Sequence, residues 1–389
     1  MGAPQGNPRL IEGKPPARYG PPEELRGLVA AVHTRPETVL DDIKRVLELA
    51  GFPGALDQSA ATVLKINISW HFYMPACSTT PWQLDGVAQA LRDAGWTPED
   101  IIAAQNSTVV VNPKSGSVRN HLIKPARKHG LEFVWLFEKD KVEWVRYRPA
   151  AEMLVLEKIY GEDNILIPAI LIGKNAIHLP TVKTHVFTTT TGAMKNAFGG
   201  LLDLNRHWTH AHIHETLVDL LKIQYEIHPG LMAVMDGTIA GSGPGPRCMV
   251  PHVKNVLLAS ADQVAIDAFA AKIMGFDPMR LGFIRLAHEH GLGVGDPKQI
   301  RVVGDEEIAE YDWGFTVGDT FASRGQKAIY WGPLKPLEHC LLRTCLVPWS
   351  YAASRLYHDV FWYPVVGYWR ARRILGQTEW GKLFREYGQ

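Results

Sequence analysis

Short apolar runs rich in β-branched residues alternate along this chain with helix-period segments that close on glycine, and few folds accept that alternation. The apolar run 27–33 precedes a helical pattern from Pro36 through Val39, Ile43, Val46 and Leu47 to Leu49, closed at Gly51. The run 61–69 (Ala-Thr-Val-Leu-Lys-Ile-Asn-Ile-Ser) precedes a helix from about Trp82 to Ala94, closed by Gly95. A strand over 100–105 is followed by a helix over 117–129, closed by Gly130. Strands joined through helices pair in parallel, and the helices must cover the faces of the sheet. The expected class is therefore α/β, a mostly parallel sheet with helices on both faces.

The pattern resumes after an irregular middle. Residues 164–168 and 171–179 read as extended, 210–225 as a helix, 231–235 and 255–259 as buried strands, and 262–274 as a helix ended by Gly275. Asp236 and Asp262 fall just after predicted strand ends, the edge at which open α/β sheets bind ligands. Residues 1–25, rich in Pro and Gly, read as an extended arm, 26–305 as the α/β domain, and 306–389 as a helical, aromatic-rich C-terminal extension.

Composition narrows the function. The 389 residues are 46% hydrophobic and 21% charged, with 41 basic and 40 acidic side chains giving a net charge of +1. So balanced a chain has no global field for nucleic acid, and none is expected as partner. The four cysteines, Cys77, Cys248, Cys340 and Cys345, form no Cys-x-x-Cys pair, which excludes a zinc ribbon or an iron–sulfur ligand run. No basic segment followed by an apolar core opens the sequence, so a cytoplasmic location is expected. The apolar runs near 341–351 and 360–369 are about ten residues each, too short to span a bilayer. Flanked by Arg343, Arg355, Arg370, Arg372 and Arg373, they read as a helical cap on the domain, a homodimer contact through residues 334–389, or a surface peripheral to a membrane.

Chemistry-bearing residues gather between Leu179 and Glu215. Four of the sixteen histidines (His207, His210, His212 and His214) lie within eight residues. On a helix His207, His210 and His214 share a side; on an extended segment His210, His212 and His214 do. Either geometry offers imidazoles to zinc, iron or nickel. Lys183, Lys195, Asn196 and Arg206 suit a carboxylate or phosphate, or an enolate-type intermediate, and Gly199-Gly200 permits close approach. The Gly-rich stretch Gly241-Ser-Gly243-Pro-Gly245-Pro is no dinucleotide fingerprint, because its prolines cannot feed a helix, but it remains a candidate ligand-lining loop.

These residues resemble the domain of unknown function 362 family over roughly 60–305. The resemblance rests on Leu64-Lys65-Ile-Asn67, Leu179-Pro-Thr-Val-Lys183-Thr-His185 and Thr191-Gly-Ala-Met-Lys195-Asn196-Ala-Phe-Gly199. Arg206-x-x-x-His210, Asp219, Val234-Met-Asp236-Gly237, Gly241-x-Gly243-Pro244, Asp262 and Asp267 complete it. Many relatives carry ferredoxin-type cysteine runs; this chain has none, so no iron–sulfur cluster of its own is expected. The order His185, Lys195, His210 is also similar to that of lactate racemase, which implies a nickel or other metal-containing cofactor near Lys195.

The expectation is an enzyme, an isomerase or oxidoreductase, acting on a small anionic ligand. Its catalytic groups would be Lys183, His185, Lys195 and Arg206. Lys65, Asn67, Asn196, Asp236, Gly241 and Gly243 would bind substrate or cofactor, with His185 and His210 as ligands to a divalent metal and Asp262 beside Asp236 orienting the bases. The alternative is a non-catalytic metal or cofactor carrier, or an assembly protein, docking through its aromatic C-terminal segment.

Overall fold

The computed structural model describes residues 8–108, 110–344 and 348–389. Residues 1–7 of the expected arm and Cys345 lie outside the described residues. The strands are β1 (Leu10–Glu12), β2 (Leu28–His33), β3 (Thr62–Ile66), β4 (Ile101–Gln105), β5 (Glu132–Trp135), β6 (Trp144–Arg148), β7 (Ile165–Pro168), β8 (Asn175–Leu179), β9 (Thr181–His185), β10 (Thr189–Thr190), β11 (Leu231–Ser242), β12 (Val250–Ser260) and β13 (Arg301–Gly304).

The main sheet runs β13-β2-β12-β11-β8-β3-β4-β5. Its half from β11 to β5 is parallel throughout, with Leu64 opposite Ala103 on one side and Ile177 on the other. β12 runs antiparallel to both β11 and β2. A small sheet, β1-β6-β7, sits apart, so part of the expected N-terminal arm is strand pairing with β6.

Alternation along each central strand feeds two cores, because successive strand side chains point to opposite faces. Leu64 and Ile66 join Ile43, Val46, Leu84 and Val87 of the helices Val39–Leu49 and Pro81–Asp93. Val63 joins Met194, Ala197 and Leu217 of the helices Ala193–Leu201 and Ile213–Ile227 on the opposite face. The fold is α/β with a mostly parallel sheet and helices on both faces, as the alternation predicts.

Several local expectations are corrected. The helix expected over 117–129 is two, Pro113–Arg119 and Ile123–Lys128, separated where His121 takes φ 55°. Residues 169–171 form a 3-10 turn before β8 begins at Asn175. The helix expected from His210 begins at Ile213, after a 3-10 stretch Leu204–His212. Asp236 lies inside β11, which runs on to Ser242, and not at a strand end.

The C-terminal segment is helical and aromatic, and its last part is embedded. Helical backbone continues without a break through Pro348–Arg355, the wide-turn section Leu356–Gly367 and Tyr368–Gln377. Trp362, Ile374, Trp380 and Phe384 belong to the same core cluster as Leu64. Trp380 packs on Trp82 at 5.1 Å between ring centroids and donates to Asn255 Oδ1 at 2.7 Å. Tyr387 donates to Asp85 Oδ2 at 2.7 Å. No helix among the described residues is long and apolar enough to cross a membrane.

Candidate functional site

The chain runs from β3 outward to β4 and β5, then returns to β8 on the opposite side of β3. In open α/β sheets this reversal leaves a crevice at the carboxyl ends of the strands, where ligands bind. A cavity of about 290 Å3 opens there, beside Lys65 near the end of β3, Gln105 at the end of β4, and Pro180 after β8.

Lys65, Lys183, Lys195, Arg206 and Arg247 all line this cavity, and no Asp or Glu among the described residues does. Lys65 and Lys183 are 4% and 1% exposed. The Lys65 amine donates to Gln105 Oε1 at 2.8 Å and to the carbonyl of Ile66. Burial, with Arg206 nearby, lowers its pKa to about 7. Lys183 donates to Cys77 O at 2.7 Å and Thr181 Oγ1 at 2.9 Å, and burial brings it to about 8. Lys195 has no hydrogen-bond partner among the described residues; its amine stands 5.5 Å from the Phe198 ring centroid. Burial, then Lys183 and Arg206, lower it to about 7.

The arginines differ in what holds them. Arg206 is spent on backbone carbonyls of Leu202, at 3.1 Å, and Ser107, and burial lowers it to about 10. Arg247 keeps a buried Nη1 with no hydrogen-bond partner among the described residues, and the same holds for Thr191 Oγ1. Buried donors without acceptors are rare and costly. Together with the Lys195 amine, they leave the cavity wall short of an acceptor, which an anion would supply.

Two imidazoles face this charge in complementary states. The backbone N–H of Phe187 donates to His185 Nδ1 at 3.1 Å, so the proton of the neutral ring sits on Nε2. His210 Nδ1 donates to His207 O at 3.1 Å, leaving its Nε2 as an acceptor. Burial and the adjoining Lys195 hold His185 well below its ordinary pKa and His210 at about 3, so both are neutral near pH 7. His210 stacks on Tyr330 at 5.9 Å and meets Phe187 and Phe198 edge-on.

Local sequence explains how these groups are held. A Cβ on Gly200 would lie 2.6 Å from Lys65 Cε, so this glycine makes room for the lysine stem. Asn196, from the same helix, donates to Lys65 O at 2.7 Å. A Cβ on Gly192 would lie 2.0 Å from Asp267 Oδ1, because Asp267 accepts from Ala193 N at 2.6 Å and Met194 N at 3.1 Å. That carboxylate caps the start of Ala193–Leu201 from a neighbouring helix.

The acids in the resemblance thus hold backbone, while the bases line the cavity. Asp219 accepts from the N–H groups of Leu154, Val155 and Leu156 at 2.7–3.0 Å. Asp262 caps Gln263–Ile273, accepting from Val264 and Ala265 at 3.0 Å, and also takes Gly27 N and Val294 N. Asp236 accepts from Trp82 Nε1 at 2.8 Å, Thr238 N at 2.7 Å and the Thr80 hydroxyl. Neither Asp236 nor Asp262 lines the cavity, so the expected orienting role gives way to a structural one.

Gly241 and Gly243 also stay off its wall; their carbonyls accept from Thr184 Oγ1, while Pro244 to Arg247, further along that loop, reach the cavity. Lys65, Asn67, Lys183, His185, Lys195, Asn196, Arg206 and His210 are all brought together on it. His207 joins them on the wall, whereas His214 accepts from Phe283 N at 3.2 Å behind it. Sequence reasoning missed Gln105, Arg247, Tyr330, Tyr351, Ser354 and His358. Arg247 had one signal, its place just after the Gly-Pro stretch, and the C-terminal residues had none.

The donor set does not fit a divalent ion. No three of His, Cys, Asp or Glu come together as a metal-binding group among the described residues, and five cationic side chains surround the space a metal would share.

The family model described as Domain of unknown function (DUF362) matches residues 62–272, more than half of the 389-residue chain. A thylakoid-associated protein of Synechocystis sp. is 26% identical over 248 residues, covering 58% of this chain and 69% of that protein. No solved structure matches. The cavity-lining bases from Lys65 to Arg247 and the acids that hold its walls all fall inside the matched span, and the chain belongs to the domain of unknown function 362 family.

Proposed function

We propose that the cavity is the active site of an enzyme that moves a proton on a small carboxylate or phosphate substrate. One observation carries this reading: five cationic side chains converge on a cavity whose described walls hold no carboxylate. An anion there supplies the acceptor that Arg247 Nη1 and Thr191 Oγ1 lack. With its pKa near 7, Lys195 is partly neutral at physiological pH and can take a proton from a carbon next to the bound acid group. The neighbouring cations stabilise the enolate that forms, and the lysine ammonium returns the proton to a carbon of the enolate. His210 Nε2, unprotonated in the neutral ring, can accept one. This is isomerase or racemase chemistry, and it calls for no iron–sulfur cluster.

Proton exchange tests it directly. The protein is incubated in D2O with a panel of small 2-hydroxy and 2-oxo acids, and loss of the C–H signal is followed by proton NMR. Exchange with one or more of them, abolished in Lys195→Ala and slowed in His210→Ala, supports the reading. Binding of these acids without exchange would leave the site an anion carrier, and no binding would remove the anion site altogether.

A further inference from the structure

The helix that closes the cavity has a second face with no function so far. Tyr351, Ser354 and His358 line the cavity wall, and His358 and Trp362 are buried. Along the outer side of the same continuous helix, Leu356 (63% exposed), Val360 (66%), Phe361 (58%), Val365 (58%) and Trp369 (60%) stand in solvent. Leu356 and Phe361, and Val360 and Val365, stand five residues apart, matching the i→i+5 pairing of the wide-turn section, and Trp369 follows Val365 by four in the α-helix beyond, so they form one stripe opposite the buried residues. Other exposed apolar side chains lie on the adjoining cavity-wall elements: Phe321 at 84% and Trp331 at 45%. Isolated exposed apolar residues are ordinary in a soluble domain; five in fourteen residues on one helix face are not.

Charge says what covers the stripe. Between residues 331 and 377, the exposed charged side chains among the described residues are Lys335, Arg355, Arg372 and Arg373, all basic. The acids in that span, Glu338 and Asp359, are part-buried, and Asp359 is held by Trp70 Nε1 at 2.7 Å. Tyr368 and Trp369 end the stripe beside Arg372 and Arg373, with apolar bodies and polar tips suited to a bilayer interface.

We infer that this stripe is a docking surface for an anionic membrane, on which the helix 348–377 lies in the interfacial plane. The inference stands apart from the enzymatic reading, since none of the stripe residues touches the cavity.

Vesicle flotation of the full chain tests it. The protein should float with equimolar phosphatidylcholine–phosphatidylglycerol vesicles, stay behind with pure phosphatidylcholine, and be released by high salt. Phe361→Asp combined with Val365→Asp should abolish flotation. Arg372→Ser combined with Arg373→Ser should weaken it roughly 25-fold, since each interfacial basic residue contributes about a fivefold factor. All four positions are exposed, so both variants should keep the wild-type melting temperature and phosphate binding. Failure to float with anionic vesicles, or flotation retained by both variants, overturns the inference. So does a dimer in solution that Phe361→Asp dissociates without any vesicle binding, which would make the stripe a contact between copies.

Discussion

Replacing Lys195 with Met should stabilise the ligand-free protein. The amine has no hydrogen-bond partner among the described residues, so its loss strands no acceptor, and methionine fills a similar volume against Phe198. In the unfolded chain a lysine titrates near ~10.4, whereas burial, Lys183 and Arg206 hold this one at about 7. At roughly 1.36 kcal/mol per pKa unit, the folded state is penalised by at most about 4 kcal/mol at pH 7. Relaxation of the cavity walls reduces the realised gain to about 1–2 kcal/mol, a rise of a few degrees in melting temperature. The sign of the pH dependence follows from proton binding. From about pH 7 to pH 10 the unfolded lysine holds a proton that the folded one has lost, so this site makes wild-type stability climb with pH across that window. Below it both states are protonated and the penalty stays at its full value. Thermal unfolding from pH 6 to pH 9 should show the variant melting higher at pH 6 and 7, with a shallower rise toward pH 9, Lys65 still contributing. A variant that melts below the wild type at pH 7, or keeps the full slope, would refute the reasoning.

Two further substitutions probe how the site is held. Gly200→Ala puts a Cβ 2.6 Å from Lys65 Cε; overpacking of about 1–3 kcal/mol outweighs a helix-propensity gain of up to ~1 kcal/mol. Urea titration should show a net loss of about 1 kcal/mol, accompanied by weaker phosphate binding as Lys65 is pushed aside. Trp380→Ala removes a side chain 2% exposed and packed on Trp82, and should cost about 3–5 kcal/mol in the same assay. A loss below about 1 kcal/mol would mean that the end of the chain is a detachable appendage rather than part of the core.

The alternation of strands and helices was readable because the central parallel strands are buried on both sides and carry near-continuous apolar runs, as β3 and β4 do. Lys65 was legible only through the resemblance, as the lysine of Leu64-Lys65-Ile-Asn67. Boundaries were harder. The continuation of β11 past Asp236 follows from pairing with β12 and β9, which no local pattern announces. The break at His121 depends on one residue adopting a left-handed conformation, an uncommon choice outside glycine. The basic cluster around Lys195 was visible as a composition anomaly in a chain of net charge +1. Arg247 and the wall contributed by Tyr330, Tyr351 and His358 were not, since they reach the cavity only through tertiary packing of segments far apart in the chain. The acids point the other way: Asp236 and Asp262 follow predicted strand ends in the sequence, yet their hydrogen bonds are spent on Trp82, Thr238 and backbone N–H groups.

The central claim, a buried cationic cavity built for a small anion, is tested most directly by calorimetric titration of inorganic phosphate into the wild type and Arg247→Ala between pH 6 and pH 9. With Lys65 and Lys195 near 7 and Lys183 near 8, falling pH protonates the cavity, so wild-type affinity should tighten as pH drops from 9 to 6. Arg247→Ala should bind at least about tenfold more weakly, as expected for loss of a charge-assisted hydrogen bond of about 1.5–3 kcal/mol. Phosphate binding that is absent at pH 6, or that is unaffected by both pH and Arg247→Ala, would contradict the claim.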